Sequence, residues 1–399
     1  MTKSINRRGF LKTGIAGAAG MVTFAPSIAS ASAAGSENDN IIYRTLGKTG
    51  LKVPVISFGV MNSDNPNLCK AAYEKGIKLF DTANGYQNGN NEAMLGNLLK
   101  DYNRDSFFLS TKARPNGVDK DGNPSKETTA ESFLEKFNIS LSRLKMDYVD
   151  ILYIHAVQNP ELIECKPIVN ALKKLKKEGK IRFMGFSTHR NEAAVINAAA
   201  STDDWDVILT SYNFMHTNIT ELNSAIRKAN EKGIGIVAMK TLAGGGFFDK
   251  EKKKPINTTA ALKWVLSNPD IHTTIPGMTT FDQLDLNAKI MYDISMTEVE
   301  KKGLVVPTAE TGLFCTGCSK CIPACPRNLP VPDLMRAYMY AYGYSNTSKA
   351  HSLLGELGIN DNPCKGCDTC KVECTKHFRI KEKITDISRL VDVPEDFLS

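Results

Sequence analysis

Ten cysteines occur in this 399-residue chain, and eight of them fall between Cys315 and Cys374. Cys315, Cys318, Cys321 and Cys325 follow C-x₂-C-x₂-C-x₃-C, with Pro326 directly after. Cys364, Cys367, Cys370 and Cys374 repeat the spacing, with Thr375 in the place of the proline. Three thiolates at x₂ intervals on a tight loop can cap three irons of one cubane. The x₃ step carries the fourth thiolate onto a helix that points at a neighbouring cubane. The expected partition is therefore Cys315, Cys318, Cys321 and Cys374 on one 4Fe–4S cluster, and Cys364, Cys367, Cys370 and Cys325 on the other. A disulfide framework and structural zinc use the same residue type. The doubled spacing with its trailing proline favours iron–sulfur.

A second set of residues lies upstream. Phe80-Asp81-Thr82-Ala83-Asn84-Gly85-Tyr86 is followed by Asn91-Glu92 and Leu95-Gly96. Ser110-Thr111-Lys112, Tyr153-Ile154-His155, Gly185-Phe186-Ser187-Thr188 and Ile275-Pro276-Gly277-Met278 each close an apolar run, and Asn287 follows. In order and spacing, from about Ile41 to Ile290, this resembles the aldo-keto reductase family. The specific part is the offset between Asp81 and Tyr86. The resemblance implies a carbonyl–alcohol interconversion on a small-molecule substrate. Tyr86 would exchange the proton, Lys112 would lower its pKa, Asp81 would hold Lys112, and His155 would orient the carbonyl oxygen. For the nucleotide the resemblance implies Ser187, Thr188, Leu242, Gly244, Gly277, Gln283 and Asn287. Leu242-Ala243-Gly244-Gly245-Gly246 and Gly277-Met278-Thr279 follow the last two expected strands, where barrels seat phosphates. Met239-Lys240 stands where the family has a stacking aromatic, Leu209 replaces a carboxamide-binding glutamine, and Gln283 replaces the cation for a 2′-phosphate. NAD(P)(H) therefore fits the frame, but a preference for NADP has no support. Family members fused to a ferredoxin module often carry the same Met-Lys-x-Leu-x-Gly-Gly run.

The elements needed to position these residues can be read from the pattern. Strands are expected at Val55–Val60, Lys78–Thr82, Phe107–Lys112, Val149–His155, Arg182–Phe186, Asp206–Thr210, Gly235–Met239 and Thr273–Pro276, alternating with amphipathic helices. This predicts an α/β protein with a (β/α)₈ TIM barrel. A doubly wound sheet is disfavoured, because no G-x-G-x-x-G joins a strand to a helix. The stretch Ile41–Leu46, Leu51–Val55 reads as a hairpin plugging the barrel floor. The cysteine region reads as a small, mainly helical ferredoxin-like domain, with helices at Asp333–Tyr342 and Lys349–Leu357. Its tyrosines, Tyr338, Tyr340, Tyr342 and Tyr344, read as packing. The expected divisions are a signal peptide at 1–33, a linker at 34–40, the barrel at 41–295, the iron–sulfur domain at 305–385 and a tail at 386–399.

Four of the seven excess positive charges sit at Lys3, Arg7, Arg8 and Lys12. The remainder is too small to suggest a nucleic-acid surface, and the run at 250–254 reads as a solvated loop. Asn6-Arg7-Arg8-Gly9-Phe10-Leu11-Lys12, the small apolar run to Ala34 and the small-x-small sites near Ala31 resemble a twin-arginine signal. Export of a folded protein to the periplasm or cell envelope is expected, with no membrane span after processing. The combined expectation is an exported iron–sulfur oxidoreductase with a redox partner protein. One alternative is an electron-transfer protein whose barrel is a docking scaffold. The other is a non-catalytic binding protein with structural clusters.

Overall fold

The computed structural model describes residues 40–216, 218–242, 257–304, 315, 317–343, 346–368, 370–375, 377–394 and 398. The expected signal segment and Gly244 lie outside the described residues. An antiparallel hairpin comes first, β1 (Tyr43–Thr45) and β2 (Lys52–Pro54). Eight parallel strands follow in chain order: β3 (Phe58–Gly59), β4 (Leu79–Asp81), β5 (Phe108–Ala113), β6 (Val149–Val157), β7 (Ile181–Thr188), β8 (Val207–Ser211), β9 (Gly235–Met239) and β10 (Thr273–Thr274). Each pairs with its sequence neighbour, and the bridges Ile56–Thr274 and Gly59–Gly277 bring β3 beside β10. The ring is thus the expected barrel. At this seam a Cβ on Gly59 would stand 2.7 Å from the Ile275 carbonyl oxygen, so only glycine permits the approach.

Strand periodicity sorts the residues. Leu79, Ile151, Tyr153, Val207, Leu209 and Val237 pack inside the barrel against Leu46, Leu51 and Val53 of the hairpin, which closes the floor. The opposite faces meet the helices, such as Lys166–Lys177. That helix starts on Pro167, buries Ile168, Val169, Ala171, Leu172 and Leu175, and ends on lysines suited to its C-terminal dipole. The first expected strand is shorter than its apolar run, because Val60–Asn62 turns into a 3₁₀ helix.

The cysteine region builds a core of its own. Helices Val331–Tyr338, Thr347–Glu356 and Ile380–Ile387 enclose Leu334, Met335, Leu353, Leu354, Ile384 and Ile387. Leu390 and Val391 pack against this core. A π-helical turn, Met339–Gly343, interrupts the expected long first helix. No helix among the described residues is long and apolar enough to cross a membrane.

Candidate active site and cluster ligands

Register assembles the barrel site. Asp81 ends β4 directly opposite Ser110 of β5, and Lys112 lies two residues further on the same face. Ser110 donates to Asp81 Oδ2 at 2.7 Å. The Lys112 ammonium donates to Asp81 Oδ1 and, at 2.7 Å, to the Thr82 carbonyl oxygen. Both partners are buried, Lys112 at 1% exposure and Asp81 at 3%. Burial pulls the Lys112 pKa down and pushes that of Asp81 up, while the pair's mutual attraction opposes both shifts.

Tyr86 enters from the loop after β4, with its ring centroid 4.9 Å from the Lys112 ammonium. Its ring meets that of His155 edge-on, at 5.9 Å between centroids. His155 is placed by a bulge. The β6–β7 register shifts between Ile154 and Val157, and Ala156 adopts a φ of 58° while its N–H donates to Ser187 Oγ at 2.9 Å. Burial, and then the charge of Asp81, push the Tyr86 phenol well above its usual pKa. This differs from the lowering expected from Lys112. Burial is the largest cause, and the Lys112 ammonium directs its hydrogen bonds to Asp81 and Thr82. Burial and the surrounding cations hold His155 well below the usual imidazole range, so it stands neutral.

These groups line a cavity of about 500 Å³ at the barrel mouth, and the module supplies part of its wall. Arg336, Met339, Tyr340, Lys349 and Glu356 all face it. Sequence reading missed these contributions. Arg336 and Lys349 carried no local signal, and Tyr340 was read as packing. Tyr340 does pack, beside Met339 on Phe214 and Met215 of the barrel, but its phenol also lies close enough to raise the Tyr86 pKa. Arg190 fastens the two parts by pairing with Asp333 at 2.7 Å, and Arg336 reaches the same carboxylate at 3.3 Å.

Of the residues expected at a nucleotide, Ser187, Leu242 and Gly277 line the cavity. Thr188 is buried, with its hydroxyl donating to the Arg190 carbonyl oxygen at 3.0 Å. Gln283 caps its own loop by accepting from the Thr279 N–H at 2.8 Å, and Asn287 is buried in its helix. The donor set nevertheless suits a polar ligand. Asn62 Oδ1 and Thr241 Oγ1 are buried without a hydrogen-bond partner, and both residues line the cavity.

The thiols gather in the crossed arrangement. Cys315, Cys318, Cys321 and Cys374 line one small recess. Cys364 lies close to Cys325, Cys370 and Cys367. Burial and the neighbouring thiols push Cys315, Cys321 and Cys364 up. Such sites resist four bare thiolates and suit a cationic iron core, which fits the cluster. Arg327 ties the loops together by donating to the Pro363 carbonyl oxygen at 2.7 Å and to that of Lys365 at 2.8 Å. Gly317, at a φ of 72°, lets the first loop approach the barrel, where a Cβ would lie 3.1 Å from Arg190 Cγ. His189, Lys240, Arg336 and Met339 line both the mouth cavity and a space against Cys315, so one layer of side chains separates them.

Comparison with known proteins finds similarity in both parts of the chain. The model of the aldo/keto reductase family matches residues 59–259, and that of the 4Fe-4S dicluster domain matches residues 314–380. An L-galactose dehydrogenase of Arabidopsis thaliana is 29% identical over 299 residues, spanning 65% of this chain and 90% of that protein. A probable aldo-keto reductase 1 of Glycine max is 29% identical over 293 residues, spanning 61% of this chain and 82% of its own. The fold of aldo-keto reductase AKR11C1 from Bacillus halodurans superposes with a TM-score of 0.55 at 24% identity, covering 66% of this chain and 95% of that one.

Proposed function

Because the chain belongs to the aldo/keto reductase family and carries a C-terminal 4Fe-4S dicluster domain, we propose that it is an exported iron–sulfur reductase acting on a carbonyl at Tyr86, Lys112, His155 and Asp81. The observation that carries this reading is the convergence of these four side chains in one cavity that a cluster-binding module helps to close. A phenol held protonated beside the reacting oxygen can hand over its proton as an oxyanion forms there, and take it back in the reverse direction. His155, neutral, donates a hydrogen bond to the same oxygen without competing for the proton. Asp81 and Lys112 hold the loop-borne phenol in place through the Thr82 carbonyl and the cation–π contact.

A bound nicotinamide would supply the hydride. Ser187, Leu242 and Gly277 would hold it, together with the unpartnered Asn62 and Thr241. The chain gives no cationic residue at Gln283 for a 2′-phosphate, so either dinucleotide fits. The clusters would exchange single electrons with a redox partner protein, and the thin layer between Cys315 and the cavity supports their coupling to the barrel. The twin-arginine pattern around Arg7 and Arg8 supports export to the periplasm or envelope, since that route carries a folded, cluster-loaded protein.

The test is anaerobic. Purified protein is analysed for iron, sulfide and nucleotide. It is then assayed for reduction of simple aldehydes by NADH, NADPH and chemically reduced clusters, following cluster absorbance. Carbonyl turnover with NADH or NADPH as the two-electron hydride donor is expected, with the clusters reduced and reoxidised separately, one electron at a time. Reversible cluster chemistry with no carbonyl turnover from any donor would make the barrel a docking scaffold.

A further inference from the structure

The charges around the cavity constrain what enters it. Arg114 and Lys136 come from the barrel, Arg336 and Lys349 from the module, and Lys240 from the end of β9. Against them the described lining holds two carboxylates, Asp81 and Glu356. Asp81 is neutralised by Lys112. Arg336 is answered by Asp333 at 3.3 Å, and Lys136 by the Arg114 carbonyl oxygen and Asn116 Oδ1. Arg114 and Lys349 have no ion pair within 4 Å among the described residues, although Asp333 and Glu356 attract Arg114 from farther off. Both line the cavity that holds His155, and both help to hold its pKa down. Both side chains are half-buried, and a guanidinium and an ammonium that face one cavity without an ion pair offer an anion two charged donors.

The anion is not the phosphates of a dinucleotide. Barrels seat those on the loops after their last two strands, here β9 and β10. Arg114 ends the run of β5, four places round the ring from β9 and therefore across the mouth from it. Lys349 reaches the cavity from the helix Thr347–Glu356 of the module. Arg114 thus stands away from those loops, and Lys349 faces the same cavity from the module.

Resting on the reductase reading, we propose that the substrate is an organic anion. Its carboxylate or phosphate group is held between Arg114 of the barrel and Lys349 of the module, while its carbonyl meets Tyr86 and His155. The module is then part of the specificity pocket as well as an electron carrier. The guanidinium fork and the ammonium suit either oxyacid group.

Binding decides this independently of turnover. The iron-loaded full chain is titrated by calorimetry with para-carboxybenzaldehyde, with para-formylphenyl phosphate and with the methyl ester of the first. At least one anion is expected to bind about ten- to a hundredfold more tightly than the neutral ester, as for a charge-assisted contact. Whichever anion is preferred names the oxyacid group. Arg114→Gln and Lys349→Gln should each remove most of that preference, while the exposed Lys228→Gln leaves it intact. Iron content and unfolding midpoint verify that each variant is folded. Equal affinity for ester and anions, or a preference that survives the double variant, would overturn the proposal. Anion-selective binding without turnover would sustain it and defeat the reductase reading. Turnover that ignores charge would do the reverse.

Discussion

Asp81 and Lys112 stand at the ends of strands whose ladder partners fix their register, and His155 stands at a bulge in the same sheet. The eight cysteines of the module stand on turns and extended loops, flanked by short helices around a small core. The barrel therefore positions its chemistry with backbone ladders and a large continuous core, and the chemistry contributes little to the fold. In the module the relation is reversed. Its core lies among the helices and leaves the cysteine loops with few backbone ladders, so bound clusters would add interior contacts that those loops lack. The Asp81–Lys112 pair qualifies this division, because it is a reactive element on which the barrel also depends.

The contrast is broken most decisively by taking the iron away. A structural metal centre can contribute on the order of 10 kcal/mol. Anaerobic chelation should abolish amide protection in the Val331–Tyr338 and Ile380–Ile387 helices and leave that of β5 to β8 intact, as read by hydrogen exchange. Loss of protection in both regions together would show that barrel and module form one cooperative unit. Tyr86→Phe addresses the barrel's chemistry alone. Turnover should fall about 10²–10⁴-fold with the unfolding midpoint unchanged, since the phenol acts on the reacting oxygen. Lys112→Met tests the one residue that serves both roles. It leaves Asp81 charged and alone, which should lower barrel stability by about 3–5 kcal/mol with cluster absorbance retained. Denaturant melts followed by circular dichroism and by absorbance separate the two effects.

The smallest effect is a slope. Burial and nearby cations hold His155 well below its ordinary 6.5. As pH falls below that value the unfolded chain gains a proton that the folded site refuses, so stability declines with acidity. His155→Gln should flatten this decline by up to about 1.4 kcal/mol per pH unit, measured by denaturant melts across the mildly acidic range. An unchanged slope would place the linkage on other groups.

Strand identities and the order Asp81, Tyr86, Lys112, His155 were legible because each is a local matter of alternation, strand ends and offsets. The crossed grouping of the cysteines was legible because spacing dictates it. What escaped were Arg114 beyond the end of its motif and Arg336, Tyr340 and Lys349 in a separate domain. Their role arises only when the module docks on the mouth, and docking depends on Arg190, Asp333 and the approach at Gly317. The phenol's pKa escaped for a related reason. A neighbouring lysine suggests acidity, but burial of the phenol, which sequence does not show, raises its pKa instead.

Arg327 lashes the first cysteine loop to the second, and each loop gives three thiols to one recess and its last to the other. The two sites are thus links of one chain hooked through each other. Seating either cubane draws both loops into place, and losing either frees a ligand of its twin. Maturation is then a single committed act, and iron titrated into empty protein should yield a mixture of vacant and fully loaded molecules, with half-charged ones rare between them.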